Sequence, residues 1–289
     1  MFIVLKKKYI TIGITLLCCF ALIFNFVPLG RTVKANSNGI ELPIVMYHQI
    51  AHKNKNLGKY VILDTQFEKD LQYLKKQGYQ TINMTQLIDY VQNGTPLPEK
   101  PIMITFDDGQ ESFYAYIYPL LEKYESYAVL SIVGAYADTY TELDDHHLSY
   151  SYLNWTQIEE LTKSKWTEIQ NHTYNMHDNK HGRLGCRIKK NESLADYTTA
   201  LNNDIGKLQQ ELFKRTGWMP NTFTYPYGYY CKESVQILQQ MGFEATLTCS
   251  EKLNYISRNH ECLYGLGRFN RPNGLSSEAF FEKILRKKS

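Results

Sequence analysis

One stretch, Ile102-Met103-Ile104-Thr105-Phe106-Asp107-Asp108-Gly109, ties the fold of this chain to its chemistry. It is a short apolar run, rich in β-branched residues, that stops at two adjacent carboxylates and a glycine. Bounded by Pro101 and Gly109, a run of this length suits a buried strand better than a helix. Two neighbouring aspartates at the mouth of such a strand oppose each other's ionisation unless a metal ion, a basic side chain or water faces them. Asp and Gly are also ordinary turn residues. On spacing alone, a turn and a site are equally good readings.

The first 35 residues stand apart. Lys6-Lys7-Lys8 precede a nearly wholly apolar, uncharged run over 9–29, and Val33-Lys34-Ala35 supplies small residues for cleavage. This reads as an export segment, either cleaved after Ala35 or kept as a membrane tether through residues 9–29. The protein is therefore expected to be secreted, cell-wall associated or anchored outside the membrane. Residues 36–42 read as a polar linker and 43–289 as one domain, expected to be monomeric. The segment 1–35 holds five of the 32 Lys and Arg and none of the 29 acidic residues, so without it the formal charge moves from +3 to −2. Nucleic acid is thus an unfavoured partner. The 23 tyrosines suit a sugar-binding surface, although tyrosines also simply fill strands. Cys18 and Cys19 lack the small residue before them that a lipoprotein signal needs. The other four cysteines, Cys186, Cys231, Cys249 and Cys262, show no zinc-type CxxC pairing, leaving disulfides or buried thiols.

Further along, the apolar run 43–48 is a first strand ending in His48. Asp64-Thr65 caps a helix to 77, a strand follows over 79–82, and Thr85 caps a helix to 92. Strand 102–106, a helix over 112–124 and strand 128–133 come next. Residues 135–153 show no period, and their Asp144-Asp145-His146-His147 cluster reads as a solvated loop rather than a metal site. Asn154 caps a helix over 155–162, strand 166–170 runs into Asn171-His172, and a long amphipathic helix spans 192–216. Strand 222–225 ends in Pro226-Tyr227-Gly228. Helix 232–241, strands 245–248 and 263–269 and helix 276–286 complete the chain. Alternating strands and helices indicate an α/β fold with a mostly parallel sheet.

In such folds the carboxyl ends of the strands share one face, where sites are built. That rule gathers His48, Asp107-Asp108, His172 with His177, and Tyr227-Gly228 without any proximity in sequence. Two imidazoles and one carboxylate make a three-ligand set that leaves positions open for water, as hydrolytic metal sites do. The second aspartate is then free to act as a base, and the ion's charge answers the repulsion within the pair.

Thr105-Phe106-Asp107-Asp108-Gly109, His172-Thr173 with His177, and Tyr225-Pro226-Tyr227-Gly228 together resemble the polysaccharide deacetylases (NodB-homology domain, carbohydrate esterase family 4). Met46-Tyr47-His48 looks like the branch with an N-terminal acid histidine, to which exported poly-β-1,6-N-acetylglucosamine deacetylases belong. The resemblance spans roughly residues 43–270. It implies a distorted, incomplete (β/α) barrel with the active site at the C-terminal ends of the strands. It also implies Asp107 as catalytic base, Asp108, His172 and His177 as ligands of one divalent metal, Tyr227 as backbone N–H donor to the oxyanion, and His48 as general acid. Zinc is the expected ion, with cobalt or nickel as alternatives, and the substrate an N-acetylated glycan polymer, exopolysaccharide or peptidoglycan. An O-acetyl esterase and a non-catalytic glycan-binding wall protein are the rival readings. Two departures stand out. Many members carry Arg before Pro-Tyr-Gly, where this chain has Thr224-Tyr225, and the C-terminal leucine–histidine motif is replaced by Leu266-Gly267-Arg268-Phe269. His48 is expected to replace that histidine. Arg268 could replace the arginine, with a structural salt bridge the favoured role. The cysteines near the motifs are expected to pair as Cys186–Cys231 and Cys249–Cys262.

Overall fold

The structure, a computed structural model, describes residues 39–285 apart from 54, 55 and 181. The export segment 1–35, with its tether 9–29, lies outside the described residues. Among those described, no helix is long and apolar enough to cross a membrane.

The sheet is built on β2 (Ile44–Tyr47), β6 (Pro101–Phe106), β7 (Ala128–Ile132), β8 (Thr167–Asn171), β9 (Thr222–Thr224) and β10 (Ala245–Leu247). Every neighbouring pair in that path is parallel, in the order β10-β9-β8-β7-β6-β2, and β5 (Gln80–Thr81) joins the start of β6. The sheet curls into an incomplete barrel. One short segment spans its two edges. Leu266 bridges to Leu247 of β10, and just beyond it β12 (Phe269–Asn270) pairs in parallel with Val45 and Met46 of β2. The expected strand over 263–269 is therefore shorter and later, because Leu263 closes a 3-10 turn, His260–Leu263, before the chain reaches the sheet.

β6 is buried along its whole length, each large apolar side chain contributing about 1.5–3 kcal/mol. Strand alternation divides it. Ile102, Ile104 and Phe106 join the cluster containing Phe113, Ile117 and Leu130, whereas Met103 joins Ile44, Val129 and Leu247. By the same period Met103, Thr105 and Asp107 share a face, which carries the second aspartate position onto a different side.

The helices are α1 (Asp64–Lys76), α2 (Met84–Asn93), α3 (Tyr118–Tyr124), α4 (Gly134–Leu143), α5 (Trp155–Lys163), α6 (Leu194–Thr216), α7 (Lys232–Gln240) and α8 (Ser277–Leu285). Asn154 caps α5 through a capping box with Gln157, as expected. The cap of α2 is Asn83 rather than Thr85, and the carboxylate of Glu168 accepts from the Met84 and Thr85 N–H groups (both 3.1 Å). A π-helical turn, Phe113–Ile117, precedes α3. α4 lies where no period was read; only Gly134 and Ala137 of it are buried, so it has no apolar stripe to betray it. β1 (Ile40–Leu42) occupies the end of the expected linker and pairs antiparallel with β11 (Asn254–Ile256). β3 (Gln49–Ala51) and β4 (Val61–Leu63) form a separate parallel pair.

The expected disulfides are absent: all four cysteines of the domain are free thiols. Cys249 turns to Met46 Sδ and the Arg268 guanidinium (both 4.0 Å), while the Cys262 thiol donates to the Ser257 carbonyl, so the two do not converge. Cys186 and Cys231 both meet Tyr197, whose hydroxyl donates to the Cys186 carbonyl and lies 3.5 Å from Cys231 Sγ.

Candidate active site

The strand ends deliver their polar residues to one cavity of about 570 Å³, lined by His48, Asp107, Asp108, His172, His177 and Tyr227 among others. All six sequence-predicted site residues are there. Asp108 adopts φ +72° and Gly109 φ +74°, so the chain turns sharply past β6 and the two carboxylates diverge. A Cβ on Gly109 would come within 3.2 Å of Ile132, and with that φ the position suits glycine.

Asp108 faces two imidazoles. Its Oδ1 lies 3.5 Å from His172 Nε2 and 3.1 Å from His177 Nε2. One donor atom from each of the three can be chosen so that all lie within 4.8 Å of one another, the one such group among the described residues. The tautomers suit a cation. His172 Nδ1 donates to the Thr224 carbonyl at 2.7 Å, which leaves the Nε2 lone pair directed at Asp108. His177 Nδ1 sits 3.3 Å from the hydroxyls of Tyr136 and Tyr227. Burial works to raise the Asp108 pKa, but the two imidazoles beside it hold it far below the usual carboxylate range. Burial lowers that of His177, and the Asp108 carboxylate reverses this to a net rise. A carboxylate and two Nε2 donors converging in this way fit a divalent ion such as zinc.

The loop between the two histidines is held from behind. Thr173 has φ +76°, which exposes successive amides on one side. Tyr174 and Asn175 N–H donate to the two oxygens of Asp204 on α6 (2.8 and 2.9 Å). Asn171 adds a second tie to the same helix through Ile205 O and Gln209 Oε1.

Asp107 has a different partner. It is 3% exposed and receives both arms of the Arg268 guanidinium, at 2.6 and 2.7 Å, with Arg268 itself fully buried. Arg268 also donates to Thr248 O (2.9 Å) and Thr105 Oγ1 (3.2 Å). Burial would raise the Asp107 pKa; the Arg268 charge overrides it and keeps the group ionised. Arg268 thus forms a salt bridge, the favoured expectation, and its partner is Asp107, the residue that the alternative reading has it steady. Its partner lies 161 residues away in sequence, and only closure of the sheet by residues 266–270 brings them together.

His48 Nε2 is 4.0 Å from Asp107 Oδ2. Its ring stands edge-on to Tyr60, centroids 4.8 Å apart, and its buried Nδ1 has no protein partner. Burial lowers the His48 pKa, only partly offset by the two aspartates. Tyr227, with φ +57°, occupies the 3-10 turn Pro226–Gly228, its ring 4.7 Å from that of His177. The Asp144–His147 cluster lies apart and is largely exposed; His146 pairs with Glu111 at 3.0 Å.

Comparison with known proteins agrees with this geometry. The family model for polysaccharide deacetylase matches residues 94–246, more than half of the chain; His48 and Arg268 lie outside that span. The poly-β-1,6-N-acetyl-D-glucosamine N-deacetylase of Escherichia coli (strain K12) is 27% identical over 231 residues, covering 74% of this chain and 34% of that protein. The chain thus spans about a third of that relative's length. The Staphylococcus aureus (strain MRSA252) protein of the same name is 23% identical over 234 residues, covering 81% of this chain and 74% of the other. Among solved structures, a de-N-acetylase from Aggregatibacter actinomycetemcomitans superimposes with a TM-score of 0.71 at 24% identity, covering 85% of this chain and 100% of that one.

Proposed function

Because the chain belongs to the polysaccharide deacetylase family, we propose that it hydrolyses N-acetyl groups of an N-acetylglucosamine-containing cell-surface polysaccharide and releases acetate. The observation that carries this reading is the division of labour in one aspartate pair. Asp108 meets two imidazoles, while Asp107 is locked beside it by Arg268. The names of the curated relatives favour a β-1,6-linked exopolysaccharide over peptidoglycan, and the basic and apolar N-terminal sequence favours export.

A divalent ion, zinc by preference, would be held by Asp108, His172 and His177 and would supply Lewis acidity toward the acetamide carbonyl. Asp107, ionised at neutral pH, takes the proton of the attacking water. The Tyr227 N–H donates to the oxygen that gains charge as the carbonyl becomes tetrahedral. An amine leaves poorly unless protonated, and His48, 4.0 Å from Asp107, protonates the departing nitrogen as general acid. Acetate and a glucosaminyl residue are the products.

The test is acetate release from β-1,6-linked N-acetylglucosamine oligomers, chitooligosaccharides, peptidoglycan and acetylated xylan, with and without a chelator. Release from the first substrate, lost on chelation and in Asp107→Asn protein that still binds metal, is expected. Full activity in Asp107→Asn, or release from xylan alone, would overturn the reading.

A further inference from the structure

α4 takes almost no part in the core, since only Gly134 and Ala137 of it are buried. Polar ties fix its first turn instead. The Gly134 and Ala135 N–H groups donate to the carbonyls of Thr173 (3.1 Å) and Tyr174 (2.7 Å), in the loop that joins His172 to His177. Amides at the start of a helix have no acceptor within it, so the turn and the loop satisfy each other. Gly134 permits the approach, because a Cβ there would stand 2.5 Å from the Tyr174 ring. The histidine loop is thus tied to two helices, to Asp204 of α6 and to the first turn of α4.

The next residue on that turn is Tyr136. Its hydroxyl lies 3.3 Å from His177 Nδ1, and its ring stands edge-on to the imidazole with centroids 5.9 Å apart. It also packs on Tyr152 (centroids 4.3 Å), which is bridged to Gln110 just past the aspartate pair. The two histidines are held unequally. His172 Nδ1 meets the Thr224 carbonyl, an oxygen that can only accept, and this enforces the tautomer with a free Nε2. His177 Nδ1 meets two hydroxyls, and a hydroxyl either accepts or donates. Tyr227 is 42% exposed, so water competes for its hydroxyl. Tyr136 is half-buried and braced by Tyr152, and a hydrogen bond sheltered from water is the stronger one.

We propose that Tyr136 is the positioning residue of His177: its hydroxyl accepts the hydrogen bond from Nδ1–H and so keeps Nε2 presented, beside Asp108, to a divalent ion. The role rests on the metal-dependent deacetylase reading, but ion binding can be measured without turnover. It also accounts for a helix that has no apolar stripe, since the first turn of α4 is placed by the loop it ties and delivers the group that orients the loop's second histidine.

The experiment compares Tyr136→Phe, which keeps the ring and removes only the hydroxyl, with Tyr227→Phe and the unaltered protein. Zinc affinity is measured by chelator competition, Tm on the metal-free proteins, and acetate release across a zinc titration. Tyr136→Phe should weaken zinc binding about tenfold or more, while its metal-free Tm stays within about 4 °C of the unaltered protein. Its deficit in acetate release should close as zinc is raised, because the hydroxyl acts through the ligand and not on the substrate. Tyr227→Phe should lose less zinc affinity than Tyr136→Phe. Zinc affinity within twofold of the unaltered protein in Tyr136→Phe, or an equal or larger loss in Tyr227→Phe, would overturn the assignment and leave the deacetylase reading standing. Weakened zinc binding in Tyr136→Phe, with no acetate released by any zinc-loaded protein, would support the role of Tyr136 and refute the deacetylase reading instead. An unaltered protein that binds no zinc would overturn the role together with the metal site.

Discussion

Arg268 is the residue on which the structure makes its sharpest demand. Its guanidinium and the Asp107 carboxylate are both buried, joined by two short hydrogen bonds. Replacing Arg268 by Met keeps much of the volume and leaves the carboxylate unpaired; replacing Asp107 by Asn leaves the guanidinium unpaired. Breaking a buried pair from one side costs about 3–5 kcal/mol, which in a domain of this size lowers Tm by roughly 6–20 °C. The double variant removes both charges and should recover a large part of that loss, giving a coupling energy of about 2 kcal/mol or more. Arg268→Lys should fall between, because an ammonium cannot present the planar fork that meets both oxygens. The measurement is a double-mutant cycle by chemical denaturation on metal-free protein, with acetate release and metal content on the loaded enzyme. Arg268→Met should lose about 10²-fold or more in kcat through misplacement of the base while retaining its metal. Additive stability losses, or a single variant within threefold of full activity, would refute the assignment.

Two further outcomes follow from groups behind the site. Asp204→Asn removes one of two acceptors from the loop that joins His172 to His177, and chelator competition should show metal affinity weakened about 10–100-fold, more than Tm alone would account for. Glu168 is buried, and burial raises its pKa despite the hydrogen bonds it receives at the start of α2. The folded state therefore binds its proton more tightly than the unfolded chain. Its contribution is most favourable below the ordinary glutamate pKa of about 4.3 and declines as pH rises through the raised value. Tm measured against pH should show this decline in the parent and not in Glu168→Gln.

What could be read from the chain alone follows a physical division. The strand 102–106 announces itself by an unbroken apolar run, and its polar terminus locates the site because parallel strands end on one face. His48, His172 and His177 are legible for the same reason. Arg268 is not, since nothing local distinguishes an arginine in Leu266-Gly267-Arg268-Phe269 from one that meets solvent; its role is set by a contact 161 residues distant. Asp204 is hidden in a helix whose visible period is that of Leu201, Ile205, Leu208 and Leu212. The expected disulfides failed on direction: sequence placed cysteines near the mouth, but only the folded chain shows Cys249 turned to Met46 and Cys262 to Ser257.

The segment 266–270 joins two tasks that the sequence keeps apart. Its ends bond to opposite edges of the sheet, at Leu247 and at Val45–Met46. Its centre sends Arg268 inside, where the charge is met by Asp107. The guanidinium has other acceptors, Thr248 O and Thr105 Oγ1, but neither is charged, so a buried cation at the closure depends on an ionised residue at position 107. It follows that Asp107→Asn, the natural inactive control, is not structurally silent. It should loosen the closure along with the chemistry, and amide exchange at Arg268 and Asn270, whose N–H groups donate to the Ser250 carbonyl and the Glu251 carboxylate, should accelerate relative to β7 and β8. Equal protection in both proteins would show that the closing segment holds without the charge pair, and would separate the barrel from the catalytic base.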